Sequence, residues 1–340
     1  MGINFESDIN LGKIQKGKRN LITDVPGVKV GHVTLNHGEV KTGVTAILPH
    51  GENIFKEKVM ASSSVINGFG KSLGLVQIDE LGTIETPIIM TNTLSVGTAA
   101  TGLVKYMLKH NDDIGKTTGT VNSVVVECND GFLNDIRGLH VKEEHVFEAI
   151  ENAKEDFDEG AVGAGTGMSC FQLKGGIGSS SRVVELDGKE YVLGTLVLSN
   201  FGLKLDFILD GRKLGEEIDK LEKFEMEKGS IIIIIGTNIP LSERQLKRIS
   251  KRAAIGLGRT GSYLGNGSGD IAISFTTANK VKHYEESDLM DVKMIHENKI
   301  DFVFRAVVES VEESVVSSML HAKTTVGRDN NERKSLTDYL

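Results

Sequence analysis

The chain predicts an α+β fold in which antiparallel sheets are layered and covered by helices. Three observations carry that expectation. The run Ile231-Ile232-Ile233-Ile234-Ile235 is β-branched throughout without polar alternation, as a strand buried on both faces requires. Asp187-Gly188 sits within the strand-like stretch 182–198, a tight-turn signal that pairs its two halves antiparallel. Strands and helices do not alternate strictly, so an all-parallel sheet is not imposed.

The elements follow in order. Strand-like runs fall at 28–33, 43–48, 87–91, 123–127, 182–186, 191–198, 230–235 and 270–276. Helical spacing marks four other segments. Residues 94–110 are rich in small side chains and read as a buried helix. Residues 142–157 place Val146, Ala149, Ile150, Ala153 and Phe157 on one face. Residues 241–257 open with Ser242 and Gln245 as a capping box and turn Leu246, Ile249 and Ala253 inward. Residues 305–321 align Val308, Val311, Val315, Val316 and Leu320 in an apolar stripe. No linker or internal repeat interrupts residues 21–327, so one domain of 340 residues is expected, with ample material for a core.

Composition narrows the function classes. Apolar content of 39% and charged content of 25% are those of a soluble globular protein. Thirty-nine glycines, dispersed rather than clustered, fit tight turns and close backbone contacts. A net charge of −8 without a dense basic cluster argues against nucleic acid as a partner. Cys128 and Cys170 have no paired spacing, which points to a reducing compartment. Without an apolar signal core or a bilayer-length run, a cytoplasmic protein with no membrane partner is expected.

Nucleotide and metal motifs fail on inspection. Gly163-Ala164-Gly165-Thr166-Gly167 lacks the G-x-G-x-x-G spacing. Gly70-Lys71-Ser72 and Gly115-Lys116-Thr117 resemble the end of a phosphate-binding loop. The upstream glycine it needs is Val65 in one case and His110 in the other. The histidines form no HExxH and no Cys/His cluster, so no metal site is expected; His32, His37 and His50 read as surface or turn residues. No G-x-S-x-G elbow occurs, which removes the α/β-hydrolase class.

Several positions carry two readings on their own residues. Gly229-Ser230, at the mouth of the isoleucine run, is either a turn or a rigidly held hydroxyl facing a cleft. Ser268 and Asp270 lie in the turn Gly265-Asn266-Gly267-Ser268-Gly269, as an ordinary solvated pair or a positioned one. Asn200 ends a strand and serves as a turn residue or an amide donor. Glu127 closes Val124-Val125-Val126 as a surface charge or an anion in a cleft. The block 163–178, with Lys174 inside it, packs backbone closely or lines a cleft, and no catalytic role falls to Lys174.

Read together, these blocks resemble the L-aminopeptidase/D-esterase and β-peptidyl aminopeptidase family of self-processing N-terminal-serine hydrolases. The resemblance rests on Ile22-Thr23-Asp24-Val25-Pro26-Gly27-Val28, Thr42-Gly43-Val44-Thr45, Asn67-Gly68-Phe69-Gly70-Lys71 and Glu85-Thr86-Pro87-Ile88. It continues through Thr91-Asn92-Thr93-Leu94, Asp130-Gly131, Lys174-Gly175-Gly176-Ile177-Gly178 and Asn200-Phe201-Gly202. Gly229-Ser230, Gly267-Ser268-Gly269-Asp270 and Thr325-Val326-Gly327-Arg328-Asp329 complete it. The blocks span nearly the whole chain in the family's order.

The resemblance implies an αββα four-layer sandwich, similar to N-terminal-nucleophile hydrolases with different strand connectivity. It implies a precursor that cuts itself between Gly229 and Ser230 into residues 1–229 and 230–340, assembles as a homotetramer and needs no cofactor. Ser230 would then be the nucleophile, with its freed α-amino group as base; that group's reference pKa is about 7.7–8.0. Ser268 and Asp270 would orient and tune it, Asp270 standing where the family often carries glutamate. Asn200 would donate to the oxyanion, and Glu127 would receive the substrate's amino terminus. Asn129, at the substrate side, replaces a tyrosine of the relatives. The expected substrates are short peptides, aminoacyl amides or esters. Two alternatives stay open: an N-acyltransferase of the glutamate/ornithine type, disfavoured because its nucleophile is threonine, and a catalytically silent binding homologue.

Overall fold

The computed structural model describes residue 9 and residues 11–218 and 228–340. In chain order the first strands are β1 (Lys29–His37), β2 (Val40–Leu48), β3 (Glu57–Gly68), β4 (Thr83–Ile84), β5 (Ile88–Asn92), β6 (Val124–Cys128) and β7 (Ser169–Cys170). They are followed by β8 (Leu173–Lys174), β9 (Gly176–Leu186), β10 (Lys189–Asn200), β11 (Lys228–Thr237), β12 (Gly267–Lys282), β13 (Thr325–Val326) and β14 (Glu332–Arg333). The helices are α1 (Leu75–Leu81), α2 (Val96–His110), α3 (Glu143–Glu151), α4 (Leu214–Ile218), α5 (Glu243–Ser250), α6 (Ala253–Arg259) and α7 (Ile300–Leu320).

Two sheets dominate, one ordered β1-β2-β5-β6 and the other β4-β3-β12-β11-β10-β9. The isoleucine run explains how they stack. On β11, Ile232 and Ile234 join the cluster of Ile88, Ile89, Val125 and Val126 from the smaller sheet. Ile231, Ile233 and Ile235 point the other way, into a cluster with Val307, Val311 and Val315 of α7 and Leu246 and Ile249 of α5. A period of two along one strand thus separates a sheet–sheet core from a sheet–helix core. Each such side chain stabilises the fold by about 1.5–3 kcal/mol. Helices α2 and α3 cover the smaller sheet with Ala99, Leu103, Val146, Ala149 and Ile150. The layers run helix, sheet, sheet, helix, as the resemblance implied.

The turn at Asp187-Gly188 has φ values of +51° and +71°, which is the demand of a type I′ hairpin. β9 and β10 pair antiparallel on either side of it. β11 pairs antiparallel with β10 but parallel with β12. On the far face, Gly178 lets α7 approach so closely that a Cβ there would lie 2.0 Å from Ser314 O. Arg182 is wholly buried at the same seam, 2.6 Å from Glu313 and 3.4 Å from Glu309.

Some element boundaries differ from the sequence reading. The helix expected to reach residue 157 stops at Glu151, because the chain turns back to pair Lys154 with Val30; Phe157 stays buried without being helical. The 241–257 segment opens with the expected capping box, Ser242 Oγ accepting from Gln245 N at 3.3 Å, but divides into α5 and α6. α2 buries one face only, leaving Leu108 43% exposed. β3 was not foreseen: its centre is Ser62-Ser63-Ser64, buried beside β12. No helix among the described residues is long and apolar enough to cross a membrane.

Candidate active site

The parallel β11–β12 pair creates the site. Its register sets Gly229 beside Ser268 and Ser230 beside Gly269, while on the other side Ser230 faces Asn200 of β10. Three residues separated by tens of positions therefore meet where these strands end. A cleft of about 830 Å³ opens there, lined by Glu127, Asn129, Asn200, Gly229 and Ser230 among others. Ser268 and Asp270 lie behind that wall, both buried, with Ser268 Oγ donating to Asp270 Oδ1 at 2.6 Å.

Ser230 Oγ donates to the Gly229 carbonyl oxygen at 2.6 Å and accepts from Gly269 N at 3.3 Å. The hydroxyl thus lies against the peptide unit that precedes it. Glycine is required at 229 by space rather than by backbone conformation. A Cβ there would fall 2.3 Å from Asn200 O and 2.8 Å from Phe201 Cα, and its φ is not in the left-handed region.

Asn200 is oriented from two sides. Its Oδ1 accepts from Ser169 N at 2.8 Å and its Nδ2 donates to Asn129 O at 2.9 Å. Both assignments fix which end of the amide is the donor, leaving a second Nδ2–H for the cleft. Asn129 holds Asn200 through its main chain, a contact any residue type supplies, while its side chain accepts from Gly131 N at 2.9 Å. Beneath Ser169, the buried Lys174 ammonium donates to the carbonyls of Gly165, Met168 and Gly175 at 3.1, 2.9 and 2.6 Å. Burial lowers its pKa to about 7. Lys174 is a structural pin for the loop that carries Ser169, and lies outside the cleft.

Glu127 is buried, and its carboxylate is held by Lys71 N at 2.9 Å on Oε1 and by the Thr93 hydroxyl on Oε2. Gly70 packs between this carboxylate and β12, where a Cβ on it would lie 3.7 Å from Glu127 Oε1 and 3.8 Å from Gly269 Cα. Cys128, next to it, is a packed thiol whose Sγ donates to Leu198 O at 3.4 Å, and burial raises its pKa. Asp130, further along, is buried with Asn134 Nδ2 donating to Oδ1 at 3.0 Å, and burial pushes it up to about 6.

Of the residues singled out from the sequence, Glu127, Asn129, Asn200, Gly229 and Ser230 line one cleft, Ser268 and Asp270 are buried beside it, and Lys174 lies outside it. Sequence reasoning missed the roles of Lys71 and Thr93 as clamps on Glu127, and it missed Phe132 and Arg333 altogether. Arg333 Nε donates to Ser169 Oγ at 3.1 Å, and its guanidinium lies 3.6 Å from the Phe132 ring centroid.

Comparison with known proteins agrees with the resemblance. The model of Peptidase family S58 matches residues 20–333. β-Peptidyl aminopeptidase BapA of Sphingosinicella microcystinivorans is 38% identical, over 92% of this chain and 84% of its own. A protein of Pyrococcus horikoshii OT3 of known crystal structure is 56% identical, with a TM-score of 0.94 over 98% of this chain and 95% of its own. The L-aminopeptidase D-Ala-esterase/amidase of Ochrobactrum anthropi is 35% identical, with a TM-score of 0.89 over 96% and 94%. That structure is described as a prototype for the serine aminopeptidases and a variant of the Ntn hydrolase fold. Matched by the family model along nearly its whole length, the chain belongs to Peptidase family S58.

Proposed function

We propose that this chain is a self-processing serine aminopeptidase and amidase that acts on short peptides, aminoacyl amides or esters with a free amino terminus. Membership of a peptidase family makes it a hydrolase, and aminopeptidase relatives favour that reading over acyl transfer or silent binding. The observation that carries the mechanism is the placement of Ser230 Oγ against the Gly229 carbonyl, 2.6 Å from its oxygen.

In the first reaction, Ser230 Oγ attacks the Gly229 carbonyl carbon, the C–N bond breaks, and an ester replaces the amide. Water then hydrolyses the ester, leaving a Gly229 carboxylate and a Ser230 with a free α-amino group. The products are residues 1–229 and 230–340. A hydroxyl is a weak nucleophile without a base, and the new amine supplies one on the same residue, near working pH.

In the second reaction the substrate's ammonium binds Glu127, already preorganised by Lys71 N and Thr93. Ser230 attacks the scissile carbonyl while its amine takes the proton. Ser268 and Asp270 hold that amine and hydroxyl in place, and Asn200 Nδ2 donates to the oxyanion. The leaving amine departs with a proton, and water releases the acyl group from Ser230. Assembly as a homotetramer in the cytoplasm completes the reading, from the family resemblance and the composition.

The test is release of p-nitroaniline from a panel of aminoacyl p-nitroanilides. Wild-type protein turns over at least one of them, and Ser230→Ala turns over none while remaining folded. Activity retained in Ser230→Ala would end the proposal.

A further inference from the structure

A single peptide group connects the buried Lys174 to the cleft. The Met168 carbonyl oxygen accepts from Lys174 Nζ at 2.9 Å, and the N–H of the same group, on Ser169, donates to Asn200 Oδ1 at 2.8 Å. Asn200 Nδ2 then donates to Asn129 O at 2.9 Å and keeps one hydrogen for the cleft that it lines with Ser230. Ammonium, peptide and side-chain amide thus form one row of hydrogen bonds, each amide accepting at its oxygen and donating from its nitrogen. The cationic form of Lys174 is the one these surroundings accommodate. It serves the carbonyls of Gly165, Met168 and Gly175, and only an ammonium has three N–H donors to give them. Among the described residues no carboxylate forms an ion pair with it, so backbone carbonyls receive its charge.

We propose that Lys174 is a positioning residue for catalysis, its charge relayed through the Met168–Ser169 peptide to the Asn200 amide, where it orients and strengthens the N–H that faces the cleft. The inference rests on the reading of Asn200 as the oxyanion donor given above. Lys174 lies outside the cleft and acts only through those two amides. A hydrogen bond from a charged donor polarises the amide that accepts it, and a buried, low-dielectric row passes that polarisation on. The oxyanion carries its charge only in the transition state, so the relay acts on kcat and leaves KM nearly alone. Its size has a ceiling and a floor. It cannot exceed the worth of Asn200 itself, about 100- to 1000-fold in kcat. Strengthening by about 10–30% per bond gives a few-fold before any loss of orientation is added.

The experiment measures p-nitroanilide turnover per processed chain for wild type, Lys174→Met, Asn200→Ala and the double variant. Burial lowers the Lys174 pKa to about 7, with Asp130 and Cys170 as the titratable groups that face it, so the assays are run at about pH 6. Lys174→Met should lower kcat about 3- to 30-fold with KM within about twofold of wild type. In the Asn200→Ala background it should change kcat by less than about twofold, because the relay then has no end. A lysine that merely stiffens its loop would lower kcat equally in both backgrounds. Lys174→Gln and Lys174→Arg decide the matter where Lys174→Met does not fold: the cationic Arg should keep kcat well above the neutral Gln. The relay is overturned by a wild-type kcat in Lys174→Met, by equal losses in the two backgrounds, or by equal losses in Gln and Arg. Asn200→Ala at the wild-type rate would instead sink the reading of Asn200, on which the relay depends.

Discussion

Asn200→Asp tests the proposed oxyanion donor with almost no change of shape, while adding a negative charge. The carboxylate keeps an acceptor for Ser169 N, now 2.8 Å from Oδ1, but removes the Nδ2 that donates to Asn129 O at 2.9 Å and faces the cleft. Two losses follow and they are separable. Withdrawing one oxyanion donor costs ~2.7–4 kcal/mol of transition-state stabilisation, or about 100- to 1000-fold in kcat. Leaving the Asn129 carbonyl without its partner costs ~1–3 kcal/mol of folding stability, at most a few degrees in Tm for a chain of this size. The assay is p-nitroanilide turnover per processed chain, with the processed fraction read from a denaturing gel and Tm from calorimetry. A large drop in kcat at nearly constant KM is the expected result. A kcat within threefold of wild type would refute the assignment, and a raised KM with kcat intact would make Asn200 a ground-state binding group.

The remaining predictions concern three other buried charges. Glu127→Gln removes the anion proposed to receive the substrate amine, so KM for peptides should rise about 10- to 100-fold with a smaller effect on kcat; an unchanged KM argues against that role. Arg182→Met removes the buried cation that pairs with Glu309 and Glu313, leaving them only Lys13 N, Ile14 N, Asn20 and Lys16, and should cost ~3–5 kcal/mol by denaturant titration, with a loss under 1 kcal/mol contradicting it. Asp130 has its pKa raised from 3.8 to about 6 by burial, so the folded state holds its proton between those values while the unfolded state has lost it. Stability should therefore fall as pH rises from about 4 to 6, by on the order of 3 kcal/mol. Asp130→Asn should flatten that slope, and a slope identical to wild type would reject the cause.

Much of the fold was legible because its signals are local. Five isoleucines in a row leave no wet face, and Asp187-Gly188 admits the two positive φ angles that the hairpin needs. β3 escaped because Ser62-Ser63-Ser64 looks polar in sequence, yet buried serines are satisfied by partners such as Asp79, 3.1 Å from Ser63 Oγ. His50 sits in the turn after β2, one of the two positions the sequence suggested, but it is buried there, with Nε2 2.8 Å from Glu57 O.

The candidate site was legible as isolated residues, and the family resemblance supplied their roles. What the chain could not disclose is how they are held. Glu127 is fixed by Lys71 and Thr93, 56 and 34 positions away, and Arg333 reaches Ser169 across 164. No spacing rule connects such pairs; sheet register and loop packing do. Gly229 shows the same limit, since its need for glycine comes from the approach of Asn200 and Phe201 rather than from its own backbone angles.

The central claim is that catalysis begins with one peptide bond broken by the hydroxyl that follows it. N-terminal sequencing and intact mass of the purified wild-type protein test this directly. The account predicts two polypeptides, the smaller beginning at Ser230, and a single unprocessed polypeptide from Ser230→Ala. An unbroken 340-residue wild-type chain that hydrolyses aminoacyl anilides at full rate would contradict it.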